Sequence, residues 1–300
     1  MRNISFVFYV VLSALSHKEH VCKPFFVVGS GRCGSTLLRR ILHSSPELHI
    51  PPENWKLGEI IQSYPCHHFL LSWEELVHLT VARVEHLGDR WFTETPTDLV
   101  HDLLDVDEEK QTLPFLIDRI YRFHGEKSGA DFSRWGDKTP MNVRFLNEIS
   151  ALFPDAKFIN LVRDGVDVVH SWAQLPDYHD LTSPSHRWKT AIDKADEFQK
   201  SYPDKLITVR YENLVSQPEE IARRVFEFIE ADYPGAAAFE FEHTEEMQTA
   251  KDIEHYQNVF GPITTENIGK GRRNLSRRDK ERIDAIIGDL LVSKGYERPI

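Results

Sequence analysis

Cysteine is scarce in this sequence. Only Cys22, Cys33 and Cys66 occur in 300 residues, an odd number without a CxxC spacing. Neither a disulfide framework nor a zinc site is expected from that count. Basic charge is also short: 36 Lys and Arg stand against 47 Asp and Glu, a net charge of −11. A nucleic-acid binder is usually basic, so nucleic acid is not an expected partner. An acidic chain can still hold an anion, because a few arginines and helix N-termini set the local potential. Histidine is plentiful, with 15 residues, yet no pair has the HExxH spacing of a zinc motif. Scattered surface histidines and no metal site are the expectation. Repeats and low-complexity segments are absent. No apolar run suffices to span a bilayer, which takes about 20 residues. The run at residues 4–15, ISFVFYVVLSAL, is shorter. It suits the apolar core of a signal peptide or a shortened signal anchor, or else a buried N-terminal strand or helix.

What is present begins with a loop. Residues 29–36 read GSGRCGST and follow the apolar run FFVV. Gly29 and Gly34 have the spacing of a phosphate-binding P-loop, and Thr36 ends it as such loops end. Ser35 stands where the nucleotide-hydrolysing version has lysine. The surroundings fit. Residues 25–28 are a short apolar run, expected as a buried strand, and residues 35–43 carry Leu37, Leu38, Ile41 and Leu42 as a helical stripe. A glycine-rich turn without a ligand is the alternative.

Further along, residues 54–134 read as mostly helical, with no clear strand, and 141–153 as a helix closed by Pro154. Strands are expected at 157–162 and 205–209, and helices at 165–174, 216–229 and 276–291. Ser216 and Glu219 fit a capping box, with Pro218 in the first turn. Strands alternating with helices predict an α/β fold, a parallel sheet flanked by helices. Ligands in such folds bind at the carboxyl ends of strands. The opening loop lies at one such end, and the RDG of 163–165 at another.

Four ordered segments then carry a resemblance: VGSGRCGSTLLRRIL, WGDKTP, FINLVRDGVDVVHSW and VRYENLVSQPEE, with IGKGRRNLS as a weaker fifth. The chain resembles sulfotransferases that use 3′-phosphoadenosine 5′-phosphosulfate (PAPS). It is most similar to the bacterial and Golgi-type branch that includes the tyrosylprotein sulfotransferases. The likeness runs from about residue 25 to 280. It implies the P-loop-containing NTPase-like fold of that family, as one domain over 23–300. Within it, 54–134 would be a helical insertion at the acceptor site.

The resemblance also assigns roles. The loop cradles the 5′-phosphosulfate, with Gly31, Gly34, Ser35 and Thr36 at binding positions and Arg32 as its basic residue. Cys33 replaces the usual serine; its backbone N–H survives, while a hydroxyl contact would be lost. A sulfonate carries less charge than a terminal phosphate, and transfer in this family needs no metal, so the missing lysine has no task. A nest of N–H groups at a helix N-terminus is enough for the anion. Arg163 and Ser171 match the residues that hold the 3′-phosphate; alternatively Arg163 is a surface residue paired to Asp164. Tyr211 matches a tyrosine at the donor, or packs on the core. Lys270, Arg272 and Arg273 match a segment that folds over the donor, or form a solvated basic run. Gly271 stands where the family usually has an aromatic. Glu53 matches the glutamate base, with His49 as a nearby competitor and a helix-cap role as the alternative. Lys138 matches the lysine that reaches the bridging oxygen of the donor. Asp137 is expected to orient Lys138 or to cap Thr139 and Pro140.

The implied reaction is in-line transfer of sulfonate from PAPS to a hydroxyl of a carbohydrate, a protein tyrosine or a small alcohol, leaving adenosine 3′,5′-bisphosphate. A P-loop nucleotide kinase or NTPase is the rival, opposed by Ser35 and by the lack of a clear Walker B aspartate. A non-catalytic nucleotide-binding protein is the other, opposed by the presence of both Glu53 and Lys138. PAPS is made in the cytosol, so a cytoplasmic enzyme is expected, with a Golgi form held by an N-terminal signal anchor as the alternative.

Overall fold

The computed structural model describes residues 23–175, 180–240 and 261–300. The N-terminal segment 1–22, with its apolar run and Cys22, lies outside the described residues. Strand β1 (Phe25–Gly29) is buried throughout, as an uninterrupted apolar run requires. Helix α1 (Ser35–Leu42) follows the glycine loop and buries Leu38, Ile41 and Leu42. The two-residue strand β2 (Leu48–His49) comes next. Four helices follow: α2 (Leu57–His68), α3 (Trp73–Glu85), α4 (Thr97–Leu104) and α5 (Leu113–Lys127). Then come β3 (Arg134–Asp137), a 3₁₀ turn (Pro140–Phe145), α6 (Leu146–Leu152) and β4 (Lys157–Val162). Helices α7 (Gly165–Ala173) and α8 (Thr182–Ser201) lead to β5 (Leu206–Arg210). The chain closes with α9 (Tyr211–Ser216), α10 (Pro218–Phe228), α11 (Lys270–Asn274) and α12 (Arg277–Ser293).

The sheet has the order β2-β3-β1-β4-β5, and the pairs β1–β3, β2–β3 and β4–β5 are parallel. The α/β class and the flanking helices are as the sequence predicts. The chain forms two compact units, Met1–Phe26 with Ser45–Lys157, and Val27–Ser44 with Phe158–Ile300. The first is built around Trp135, which stacks on Tyr121 at 4.1 Å and meets Phe26 edge-on at 5.9 Å. Here Phe25 lies opposite Gly136 in the ladder. A Cβ at Gly136 would come within 2.3 Å of the Phe25 ring, so only glycine lets the two strands close. The second unit is centred on Val166, Val169, Trp188, Ile283 and Ile287.

Several local expectations need correction. Ser216 is not a helix cap: it ends α9, and Gln217 precedes Pro218 with an extended φ of −137° and no side-chain cap bond. The proline forces its predecessor out of helical geometry and thereby sets the start of α10. A full capping box stands instead at Ser72 and Glu75 on α3. The helix expected over 141–153 begins as a 3₁₀ turn, in which Asn142 N donates to Thr139 O at 2.9 Å. Strands β2 and β3 and the helices α8, α9 and α11 are not expected from the sequence.

Candidate active site

The second unit holds the glycine loop. Gly31, Arg32 and Gly34 have φ of +74°, +55° and +94°. Left-handed residues placed among right-handed ones curl the backbone so that its N–H groups converge, the geometry of an anion nest. Gly34 is also the N-cap residue of α1, so the helix macrodipole adds to the same end. Arg32 carries a side chain at positive φ, a strained state that has to be held by its surroundings. Its Nε donates to Ser171 Oγ at 3.1 Å, and its carbonyl accepts from Arg163 Nη1 at 3.2 Å. Cys33 is fully buried beneath the loop. Burial pushes its thiol pKa up, against the pull of backbone N–H groups at Cys33, Gly31 and Ser35, so it is a neutral packing group.

Arg163 leaves the end of β4 and is buried, not a surface partner of Asp164. Its Nη2 donates to Asn267 O at 2.6 Å and lies 3.6 Å from Asp167. Its guanidinium sits 4.5 Å from the Tyr211 ring centroid. Its Nε is buried without a hydrogen-bond partner among the described residues. Tyr211 is buried too, and burial raises its phenol pKa. A Cβ at Gly34 would approach its ring to 2.6 Å, so Tyr211 packs against the loop on one side and Arg163 on the other. Gly34→Ala is therefore expected to cost about 1–3 kcal/mol of stability from the strained φ alone, read in denaturant unfolding. An unchanged midpoint would mean that neither the φ nor the Tyr211 contact matters.

The basic segment divides. Asp167 accepts the backbone N–H of Gly269 and of Gly271, each at 2.7 Å, and so anchors α11. A Cβ at Gly271 would lie 2.5 Å from Val166 O, which is why no aromatic fits there. Arg272 is committed elsewhere: its Nε donates to Asp164 Oδ2 at 2.6 Å, and its Nη atoms donate to the carbonyls of Glu297 and Arg298. Arg273 donates to the carbonyls of Ile268 and Glu266. Lys270 is exposed. His170 is buried, and burial lowers its pKa, with Lys270 adding to the effect. Spacing could have identified Asp167, one helical turn after Arg163; nothing in the sequence ties Arg272 to Asp164.

The first unit holds Glu53 and Lys138. Lys138 Nζ donates to Glu53 Oε1 at 2.6 Å, with side-chain exposures of 4% and 32%. Glu53 is not a helix cap, since α2 starts at Leu57 and its N-cap is Lys56. His49 is buried, bonded to His124 at 2.9 Å and packed on Phe132. With His170 these histidines are internal, contrary to the surface expectation. Asp137 is wholly buried. Its Oδ1 accepts from Thr139 N and Asn142 Nδ2, each at 2.9 Å. Its Oδ2 accepts from Tyr121 OH at 2.7 Å and Thr139 Oγ1 at 3.1 Å. Burial pushes its pKa up to about 6 against these bonds. With four donors aimed at it, the group is a carboxylate at neutral pH, and it caps Thr139 as expected. Among the described residues no group of three His, Cys, Asp or Glu could hold a metal ion. Nor is any helix among them long and apolar enough to cross a membrane.

Comparison with known proteins adds to this geometry. A family model described as "Sulfotransferase family" matches residues 24–235. "Protein-tyrosine sulfotransferase 1" of Danio rerio is 26% identical over 288 residues, covering 91% of this chain and 72% of the relative. "Protein-tyrosine sulfotransferase" of Drosophila melanogaster is 24% identical over 91% of this chain, which spans about half, 51%, of that relative. The fold is similar to that of the sulfotransferase domain from the Synechococcus PCC 7002 olefin synthase. The TM-score is 0.61 at 19% identity, over 90% of this chain and 96% of the other.

Proposed function

This chain belongs to the sulfotransferase family, and we propose that its donor is PAPS, its acceptor a hydroxyl group and Glu53 its general base. The contact between Glu53 and Lys138 carries the reading. The two side chains expected to act as base and as leaving-group cation lie 85 residues apart in sequence, yet meet at 2.6 Å. A lysine–glutamate pair also serves in kinases, but Ser35 leaves this loop without the lysine that a nucleotide kinase needs. A merely nucleotide-binding protein has no use for the pair.

The second unit supplies anion binding. The nest at Gly31, Arg32, Cys33, Gly34, Ser35 and Thr36 receives the 5′-phosphosulfate, and Arg32 steadies charge on the moving group. Arg163 and Ser171 receive the 3′-phosphate; the buried Nε of Arg163, without a partner among the described residues, is a donor suited to it. Tyr211 holds the Arg163 guanidinium in place. Lys270, exposed on α11, is the cation of that segment left for the donor, while Arg272 acts through its ion pair with Asp164. The first unit supplies the chemistry. Glu53 takes the proton of the acceptor hydroxyl. The acceptor oxygen bonds to sulfur as the bond from sulfur to the phosphate oxygen breaks. Lys138 leaves Glu53 for that oxygen and stabilises its growing charge.

Residues 23–300 act as one sulfotransferase domain, with the acceptor recognised by the helical region 54–134. Relatives named for protein tyrosine make the tyrosyl phenol the first acceptor to assay, with sugar hydroxyls and small alcohols as the other outcomes. A cytoplasmic location suits the place where PAPS is made, and a Golgi form is the alternative. Calorimetry tests the donor. Adenosine 3′,5′-bisphosphate is expected to bind at least about 100-fold more tightly than AMP, a gap of roughly 2.7 kcal/mol. Equal affinities would remove the 3′-phosphate site and the PAPS assignment with it.

A further inference from the structure

We propose that Thr139, backed by Asp137, is a positioning residue that fixes the backbone of Glu53 relative to Lys138. The inference rests on the reading of Glu53 as base. Glu53 follows two prolines and lies on no regular element, so its aim has to come from tertiary contacts. Its carbonyl oxygen accepts from Trp91 Nε1 at 3.3 Å. The N–H of the same peptide group, that of Asn54, donates to Thr139 Oγ1 at 2.8 Å. One peptide plane is thus held at both ends.

Thr139 adjoins Lys138, and its own position is set by Asp137. Both its N–H and its hydroxyl donate to that carboxylate. The Thr139 hydroxyl has a single hydrogen. Giving it to Asp137 leaves the oxygen lone pairs to accept the Asn54 N–H, so the direction of each bond is fixed. The frame closes on the far side. Tyr121 donates to Asp137 Oδ2, the oxygen that also accepts the Thr139 hydroxyl, and packs edge-on against Trp91 at 5.2 Å. The path from Glu53 through Trp91, Tyr121, Asp137 and Thr139 back to Asn54 is a ring of contacts within one unit. Its polar members Asn54, Asp137 and Thr139 are at most 1% exposed. Shielded from water, their bonds are stronger and their loss more costly than at the surface. A base displaced by about 1 Å can lose about 10²-fold in rate. A frame of this kind therefore acts on the chemical step without touching a substrate.

The test uses the full chain carrying Thr139→Val, which keeps shape and removes the hydroxyl, and Thr139→Ser, which restores it. Each is made alone and with Glu53→Gln. Turnover is read as bisphosphate released from PAPS, with a tyrosine-containing peptide as acceptor, or with water where the peptide is not used. Thr139→Val is expected to lower kcat about 10- to 100-fold. KM for PAPS and bisphosphate affinity should stay unchanged, and Thr139→Ser should recover most of the rate. In the Glu53→Gln background Thr139→Val should cost nothing further, because the group it aims is gone. Amide exchange at Asn54 should speed up in the valine variant and not in the serine variant. Equal rates for the valine and serine variants, or the same loss in both backgrounds, would overturn the inference while a slow Glu53→Gln keeps the base assignment. Near-normal turnover of Glu53→Gln would overturn the base assignment and this inference together.

Discussion

Glu53→Gln is expected to slow sulfonate transfer by about 10²–10⁴-fold, the usual loss when a positioned base is removed. Glutamine keeps the shape of the side chain. Its amide oxygen can still accept from Lys138, so the 2.6 Å contact has a substitute. What disappears is the ability to take a proton from the acceptor hydroxyl. The residues proposed to hold the donor all lie in the other unit, and a carboxylate offers nothing attractive to an anion. Affinity for adenosine 3′,5′-bisphosphate should therefore stay within about twofold of the original, well under the 1.4 kcal/mol that a tenfold change represents. Some stability is lost, because Lys138 is 4% exposed and gives up its counter-charge. Turnover is best compared well below the melting temperature of the variant. Near-normal turnover would take the base role from Glu53. It would not pass it to His49, whose ring is enclosed by His124 and Phe132.

The elements legible in the sequence are those whose burial is uniform or regularly spaced. β1 and β4 are short apolar runs and α1 an apolar stripe, and all three fall where periodicity puts them. β3 is different. Its sequence RWGD joins a charge, an indole, a glycine and a carboxylate, and each serves the tertiary structure rather than strand propensity. Gly136 makes room for Phe25, and Asp137 is buried because four donors await it. α8 was hidden by dilution: Trp188, Ala191, Ile192, Ala195 and Phe198 recur at helical spacing within a mostly polar segment. For the candidate site, motif spacing marked the loop, and the family resemblance marked Arg163, Glu53 and Lys138. Missing from any spacing rule were the long-range supports. Trp91 and Tyr121 carry no local signal, and nothing in the sequence pairs Arg272 with Asp164, 108 residues away. Such partners depend on which surfaces meet after the chain has folded, and a window of sequence does not contain that information.

Arg163→Ala should act on the opposite side of the reaction, at donor binding. The arginine is 8% exposed, held by the carbonyls of Arg32 and Asn267, by Asp167 and by the Tyr211 ring. Its planar fork is thus oriented before any ligand arrives, and less freedom is lost on binding than a flexible lysine would lose. Removing one partner of a buried, hydrogen-bonded charge pair typically costs 2–5 kcal/mol, roughly 30-fold to several thousand-fold in affinity. For adenosine 3′,5′-bisphosphate a loss in that range is expected. AMP lacks the 3′-phosphate, so its affinity should change much less, and the ratio between the two ligands should collapse. That ratio separates a lost phosphate contact from a disturbed fold, which would weaken both ligands alike. The disturbance is real, since the variant also removes the bond to the Arg32 carbonyl and part of the support for a residue at φ +55°. Arg163→Lys keeps the charge without the fork and should fall between the two, closer to alanine, because a point charge cannot satisfy several fixed acceptors at once. A bisphosphate-to-AMP ratio left intact in Arg163→Ala would place the 3′-phosphate elsewhere.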